Sequence, residues 1–514
     1  MALIRFAATV GGYTMLSRVL GFVRDILIAA VLGAGPVADA FFVAFRFPNL
    51  FRRLVAEGAF SAAFVPLFSR HLEEGGRGAA RAFAEQTLSL LLTTLLIFTI
   101  LVEIAMPWLM RVIAFGFVDS PDKFDLAIAF ARLAFPYLLF MALVALLGGV
   151  LNALYRFAAA AAAPVLLNVV LITVLLFFAD VGETPGHALA WGVALAGAGQ
   201  FVWLVLACHR AGMRLHLPRP KLTPGVRRLL VLMLPLGLTA GVHQLNLLIG
   251  TVIATLRDGA VSYLYYADRV YQLPLGVVGI AIGTALLPTL ARNLRAGDGD
   301  AAMEAQSRAF EVSALLTLPA AAALVVIPGP IVSVLFERGA FDAADADATA
   351  LALAAFAIGV PAFVLVKVLS PGFFAREDMV TPLKVSIAAV ATNVGLSLAL
   401  VWPLAHVGIA LATTIASWLH AGLMWAILAR RGHLVLDARL KSRLPRAVLA
   451  SVVMGLALWG IAAALAAPLA GGTGPRIAAL AALVAAGVVF FAAAAQIVGA
   501  ANLRELRAML RRGG

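Results

Sequence analysis

Apolar runs of about twenty residues recur from one end of the chain to the other, each closed by a short polar, acidic or basic stretch. A transmembrane barrel would show segments of about ten residues with alternating polarity, and none appear. The runs therefore predict membrane-crossing helices. Fourteen spans are expected, at about 4–31, 36–68, 86–113, 125–151, 158–180, 187–208, 226–256, 260–291, 306–336, 347–370, 380–402, 405–430, 446–467 and 476–499.

Composition agrees with that pattern. Of 514 residues, 63% are hydrophobic and 13% charged, and the mean hydropathy is +1.01. No soluble domain needs so much apolar residue, so the expected class is an all-α polytopic membrane protein. No small-residue cleavage site follows the opening Met1–Arg5, and no removable signal peptide is expected. The one cysteine, Cys208, excludes an intramolecular disulfide and reads as a small buried hydrophobe.

The net charge of +13 would suit nucleic acid if it were patchy, but it is sided. Of 39 Lys and Arg, 26 fall in one set of loops and the termini; Arg111, Lys123, Arg257, Arg338 and Arg476 alone fall in the opposite loops. The positive-inside rule then puts the first set, with both termini, in the cytoplasm. No nucleic-acid partner is expected.

An internal repeat runs through the spans. Pro66–Arg70 closes span 2 and Pro288–Arg292 closes span 8, 222 residues later. Pro136, Arg156 and Pro164 are echoed in order by Pro361, Arg376 and Pro382. Six spans separate the copies, so both have the same orientation. Parallel repeats of this kind place a substrate site between two halves near the midplane. The expected division is 1–215 and 216–435 as two six-helix lobes, with 436–514 carrying spans 13 and 14 and a basic interfacial tail at Asn502–Arg512.

Charges inside the spans carry the candidate chemistry. Arg18 lies about 14 residues in from Ile4, roughly 21 Å along a helix and well past the cytoplasmic interface, and Arg24 lies in the same span. A charge at bilayer depth costs roughly 2.5–3.5 kcal/mol on insertion scales, so it faces protein or water. Arg18 with Asp25, and Ser17 with Arg24, are seven apart and flank one face of span 1. Two readings stand: an anion site, or internal neutralisation of an arginine by Asp25 or another acid. In span 2, Asp39, Arg46 and Arg53 line one stripe, Asn49 and Arg52 are one turn apart, and Arg53 can pair with Glu57. Arg52 has no such partner on its own helix. Span 8 adds Arg269 among Tyr263, Tyr265, Tyr266 and Tyr271. The planar guanidinium donates two hydrogen bonds to phosphate oxygens and stays charged, so Arg18, Arg24, Arg52 and Arg269 suit a diphosphate.

Other polar residues say less. Lys367 reads as a snorkelling side chain. His243, Gln244, Asn246 and Asn393 read as helix-to-helix hydrogen-bonding groups, with a small-cation site as the alternative. Arg132 has no evident role. No metal-ligand cluster, nucleophile elbow, phosphate-binding glycine loop or paired catalytic carboxylates appear, so an enzyme reading has no motif behind it.

At these residues the chain resembles the MurJ (MviN) lipid II flippases of the multidrug/oligosaccharidyl-lipid/polysaccharide exporter superfamily. The resemblance rests on Thr14–Asp25, Ala38–Phe41, Phe47–Leu54, Glu57–Phe60, Ala267–Pro274 and Leu335–Phe341, and covers essentially the whole length. It implies a fourteen-span protein that carries the undecaprenyl-diphosphate-linked peptidoglycan precursor from the inner to the outer leaflet of the bacterial inner membrane. It implies further that Arg18, Arg24, Arg52 and Arg269 are cavity cations, that Asp39 and Glu57 are functional acids, and that spans 13 and 14 form a lipid-tail groove. Ser17 and Asn49 belong to the same candidate site. No cofactor is expected; membrane potential with sodium or a proton is the drive such a carrier admits, the sodium ligands being unassigned. The partners are lipid II and membrane lipids, and the working unit a monomer. A related polysaccharide-lipid or multidrug exporter is the alternative, although a cation-drug exporter would line its cavity with acids. A scaffold or glycan-polymerising enzyme would show large polar external loops or a catalytic cluster, and neither is visible.

Overall fold

The computed structural model describes the backbone of residues 2–51 and 60–501, and their side chains apart from those of 2–8, 51, 234–243 and 277–285. Each predicted span is mostly helix where it is described. In chain order the helices are α1 (Ala2–Leu32), α2 (Pro36–Phe51), α3 (Phe60–Ile113), α4 (Pro121–Ala134), α5 (Tyr137–Ala153), α6 (Phe157–Phe177), α7 (Pro185–Arg210) and α8 (Pro224–Ala254). They continue with α9 (Ala260–Arg295), α10 (Gly299–Val326), α11 (Pro328–Phe336), α12 (Ala343–Ala357), α13 (Val360–Phe374), α14 (Val380–Arg430), α15 (Ala438–Ala464), the single turn α16 (Ala466–Leu469) and α17 (Thr473–Ile497). Nine helical stretches among the described residues are long and apolar enough to cross a membrane. Two of them are bent pairs, α3 turning at Gly76 (φ 68, ψ −170) and α14 at Ala405 (φ 48, ψ −131). The arrangement is that of a multi-pass, all-α membrane protein, consistent with fourteen crossings.

Three spans that read as continuous are broken. Span 4 divides between α4 and α5 at Phe135–Pro136, span 9 between α10 and α11 at Ile327–Pro328, and span 10 between α12 and α13 at Ile358–Gly359, next to Pro361. Proline removes a backbone donor and clashes with the preceding turn, while glycine weakens the helix, so an apolar run alone cannot keep the helix whole. Span 13 also begins earlier than its apolar run suggests. Asp437 caps its first turn, the carboxylate accepting from Leu440 N at 2.7 Å. Glu311, 6% exposed, then receives Arg439 at 3.1 Å and Arg443, so the basic first turns of α15 fold as helix against α10.

The turns repeat as the spans do. Left-handed backbone occurs at Gly76 and Gly297 (φ 68 and 75), at Tyr155 and Glu377 (58 and 61), and at Gly212 and Gly432 (79 and 69). The members of each pair are 221, 222 and 220 residues apart. Hydrogen bonding follows: Arg156 N donates to Leu151 O and Asp378 N to Phe373 O, while Met213 N donates to Cys208 O and His433 N to Leu428 O. These are helix endings with a left-handed residue after the last turn. Tyr155 and Glu377 adopt that conformation without being glycine, which costs energy and marks a constrained turn in both copies.

The chain forms two compact units, residues 1–262 with 338–341, and residues 263–337 with 342–514. In the first, Phe41, Phe64, Phe68, Phe130, Phe135 and Tyr137 are fully buried, and α8 starts against the stacked rings of His71 and Phe83 on α3. In the second, Phe310, Val368, Phe373, Met424 and Leu428 share one core. The helices outside the repeat, α15 and α17, pack there through small and apolar residues: Ala447 and Ala450 with Ala494 and Ala495, and Met454 and Leu458 with Leu483 and Ile327. Their outer faces, with Leu456, Trp459 and Val488, are about two-thirds exposed, as lipid-facing surface requires.

Candidate functional site

The two candidate arginines of α1, Arg18 and Arg24, have different surroundings. Arg24 is buried, and its guanidinium donates from Nε and Nη2 to Asp25 Oδ1 at 3.0 and 2.7 Å. Its Nη1 donates to Asn168 Oδ1 on α6 at 2.9 Å. The Asn168 amide nitrogen in turn donates to the Ser17 carbonyl at 2.9 Å and to its hydroxyl at 3.3 Å. Ser17, Arg24, Asp25 and Asn168 thus form one network joining α1 to α6. A buried guanidinium and carboxylate are tolerable only when paired and hydrogen-bonded in this way. Arg18, by contrast, is exposed, and no hydrogen bond or ion pair to it occurs among the described residues. Its charge is available to a ligand.

On α2, Asp39 is wholly buried and accepts four strong bonds. Lys123 Nζ on α4 donates to Oδ2 at 2.8 Å, and Gly259 N donates to the same oxygen at 2.9 Å. Ser262 donates to Oδ1 from its backbone nitrogen at 2.9 Å and from its hydroxyl at 2.6 Å. The carboxylate therefore caps the start of α9, where free backbone donors and the positive end of the helix dipole favour a negative charge. Lys123 also reaches Asp258 Oδ1 at 3.1 Å, and its ammonium stands 4.2 Å from the Phe117 ring centre. Further along α2, Arg46 Nη1 donates to Thr251 on α8, and Asn49 is half-buried.

Next to Asp39 the repeats exchange turns. Ala340 N donates to Ala30 O at the end of α1 at 2.8 Å, and Gly116 N donates to Thr255 Oγ1 at the end of α8 at 3.0 Å. A methyl group on Gly339 would fall 2.1 Å from Ala30 O, and one on Gly116 would fall 2.2 Å from Thr255 O. Each repeat's first helix thus ends on a glycine turn of the other repeat.

In the second unit, Arg269 stacks over the Tyr265 ring, 4.6 Å from its centre. Asp268 does not hold it; that carboxylate accepts from Gln272 one turn on. Arg52 and Glu57, with Arg53 and the tail at 502–512, lie outside the described residues, as does the His243 side chain. Asn393 accepts from Thr413 at 3.2 Å between the two arms of α14, a helix-to-helix bond. No cluster of metal-ligating side chains occurs among the described residues.

Sequence reasoning missed Asn168, Lys123 and Ser262. Asn168 offered a signal, a lone amide in the middle of an apolar span. Lys123 offered none, being one of the five bases in the less basic set of loops.

Comparison with known proteins fits this geometry. The family model "Lipid II flippase MurJ" matches residues 28–480. A probable lipid II flippase MurJ of Rhizobium meliloti is 48% identical over 519 residues, covering all of this chain and 97% of that protein. Among solved structures, a lipid II flippase MurJ in an inward closed conformation superposes with a TM-score of 0.77, covering 95% of this chain and 98% of that one at 22% identity. An inward-facing multidrug resistance MATE transporter of the MOP superfamily gives 0.65, over 81% and 95%, at 15% identity. These last two speak for the fold alone. The family model over most of the length and the near-half identity across all of it decide the matter: this chain belongs to the MurJ family of lipid II flippases.

Proposed function

We propose that the protein carries lipid II from the cytoplasmic to the periplasmic leaflet of the bacterial inner membrane by alternating access. In this reading the diphosphate binds Arg18, with Arg24, Arg52 and Arg269 completing the cation set, and the polyprenyl tail stays in the bilayer. Both termini face the cytoplasm, and one chain is the working unit. The observation that carries the reading is Arg18: an exposed guanidinium, with no hydrogen bond or ion pair among the described residues, roughly 21 Å inside a membrane helix. A cation at that depth is retained at a cost and calls for an anionic ligand. The membrane potential contributes about 2.3 kcal/mol per net charge per 100 mV to any step that moves charge across the bilayer.

Arg24 has a second role in this account. Its bonds to Asp25 and Asn168 make it the cation that fixes α1 against α6, so its effect on transport includes positioning Arg18. Depletion of the native flippase with rescue by variants tests the assignment. Arg18→Ala should insert normally, keep its thermal stability and fail to sustain precursor export. Asn168→Ala should lower stability as well as export. An Arg18→Ala protein that inserts and exports normally sinks the anion site.

A further inference from the structure

Glu103 lies on the inward face of α3, between fully or nearly buried Val102 and Met106, while Ile100, Leu101 and Ile104 point outward. It is about ten residues from Ile113, so roughly 15 Å from the helix end, which is half the thickness of a hydrocarbon core. Its Oε1 is buried and has no hydrogen-bond partner among the described residues. One turn earlier on the same face, Thr99 is 6% exposed and its hydroxyl is equally unpartnered.

Across the turn from α3 to α4, Arg132 stands at a matching depth, about eleven residues from Pro121. The other charges of α4, Asp122, Lys123 and Asp125, sit at its far end, and Lys123 is held by Asp39 and Asp258. On α3 itself, Arg111 is exposed about two turns further along. Helix α5 offers only Tyr137 at its start, and α8 meets α3 near His71 and Phe83, about twenty residues away. An ionised carboxylate oxygen with no donor is costly at this depth, and a proton removes the charge. Arg132 pulls the other way by favouring the anion. Two oxygens beside a guanidinium make a poor set for a hard metal cation, which takes six or more oxygen ligands. A proton needs one.

We infer that Glu103 is a proton-binding site inside the membrane, with Arg132 setting its balance. The carboxylate takes a proton from water to become the neutral acid and returns it to water when it ionises again. As a coupling site for transport this rests on the proposed function; as a protonation site it does not. Infrared spectra of the purified full chain in lipid nanodiscs, recorded through a pH titration, separate the two. The wild type should show a protonated-carboxyl band that Glu103→Gln abolishes, and Arg132→Gln should hold that band to higher pH. Identical titrations for wild type and Glu103→Gln would overturn the site. If Glu103→Gln fails to insert, a band unmoved in Arg132→Gln overturns it equally. With the site present, loss of pH-gradient dependence of lipid II transport in Glu103→Gln extends it to coupling, and unchanged dependence overturns the coupling role.

Discussion

Asp39 and Arg24 are both buried charges, and each is made tolerable by partners that no single helix supplies. Asp39 takes Lys123 from 84 residues away and Ser262 from 223. Lys123 keeps little else, because Asp258 is 95% exposed and a pair with so open a carboxylate is weak. Asp39→Ala therefore strands a buried ammonium and uncaps α9. It should cost on the order of 3–5 kcal/mol, read as a lower unfolding temperature in detergent, and Asp39→Ala with Lys123→Met should recover part of it. Equal melting of Asp39→Ala and wild type would contradict this. The helix-face spacing of Arg18, Arg24, Asp25 and Asp39 was legible in the sequence. Their partners were not, because periodicity tells which face a residue occupies and not which helix stands opposite. Asp25 was weighed as a partner for the α1 arginines; that it holds Arg24, its immediate neighbour, becomes visible only with side-chain geometry.

Among the elements, apolar runs showed where helices lie, and prolines showed where they break only after the backbone was seen. The glycine turns carry more than connection. At Gly339 (φ 60) and Gly116 an added methyl group meets backbone oxygen, which cannot move aside as a side chain can. Gly339→Ala and Gly116→Ala should each reduce the folded, membrane-inserted yield, whereas Gly297→Ala, with open space around it, should carry only the smaller cost of its left-handed φ. A yield from Gly339→Ala equal to that from Gly297→Ala would undo the argument. The loop between α13 and α14 gives a pH signature. The Thr381 side chain, then the Thr381 backbone nitrogen (2.9 Å) and Arg431 (2.6 Å), donate to Asp378 and hold its carboxyl well below the usual carboxylate range. A folded-state value below the unfolded one means stability present at neutral pH and lost as pH falls below about 4. Asp378→Asn should lower the melting temperature at pH 7 and flatten its acid dependence; parallel melting curves across about pH 3–7 would exclude the effect.

Across the whole molecule, two facts independent of each other point the same way: a repeat written both in sequence and in left-handed turns, and family membership over nearly the full length. One turn of the repeat was hidden from the sequence, since Tyr155 and Glu377 share no residue type and only their backbone is alike, whereas the other two pairs are glycine in both copies. On this frame the proposed partner of the diphosphate is an exposed arginine of α1, Arg18. The most direct test is the far-leaflet accessibility of lipid II in sealed vesicles holding the purified protein under a membrane potential. The account predicts that wild type raises accessibility above empty vesicles and that Arg18→Ala, inserted to the same level, does not. Equal accessibility with wild type and with empty vesicles, or with wild type and Arg18→Ala, would contradict it.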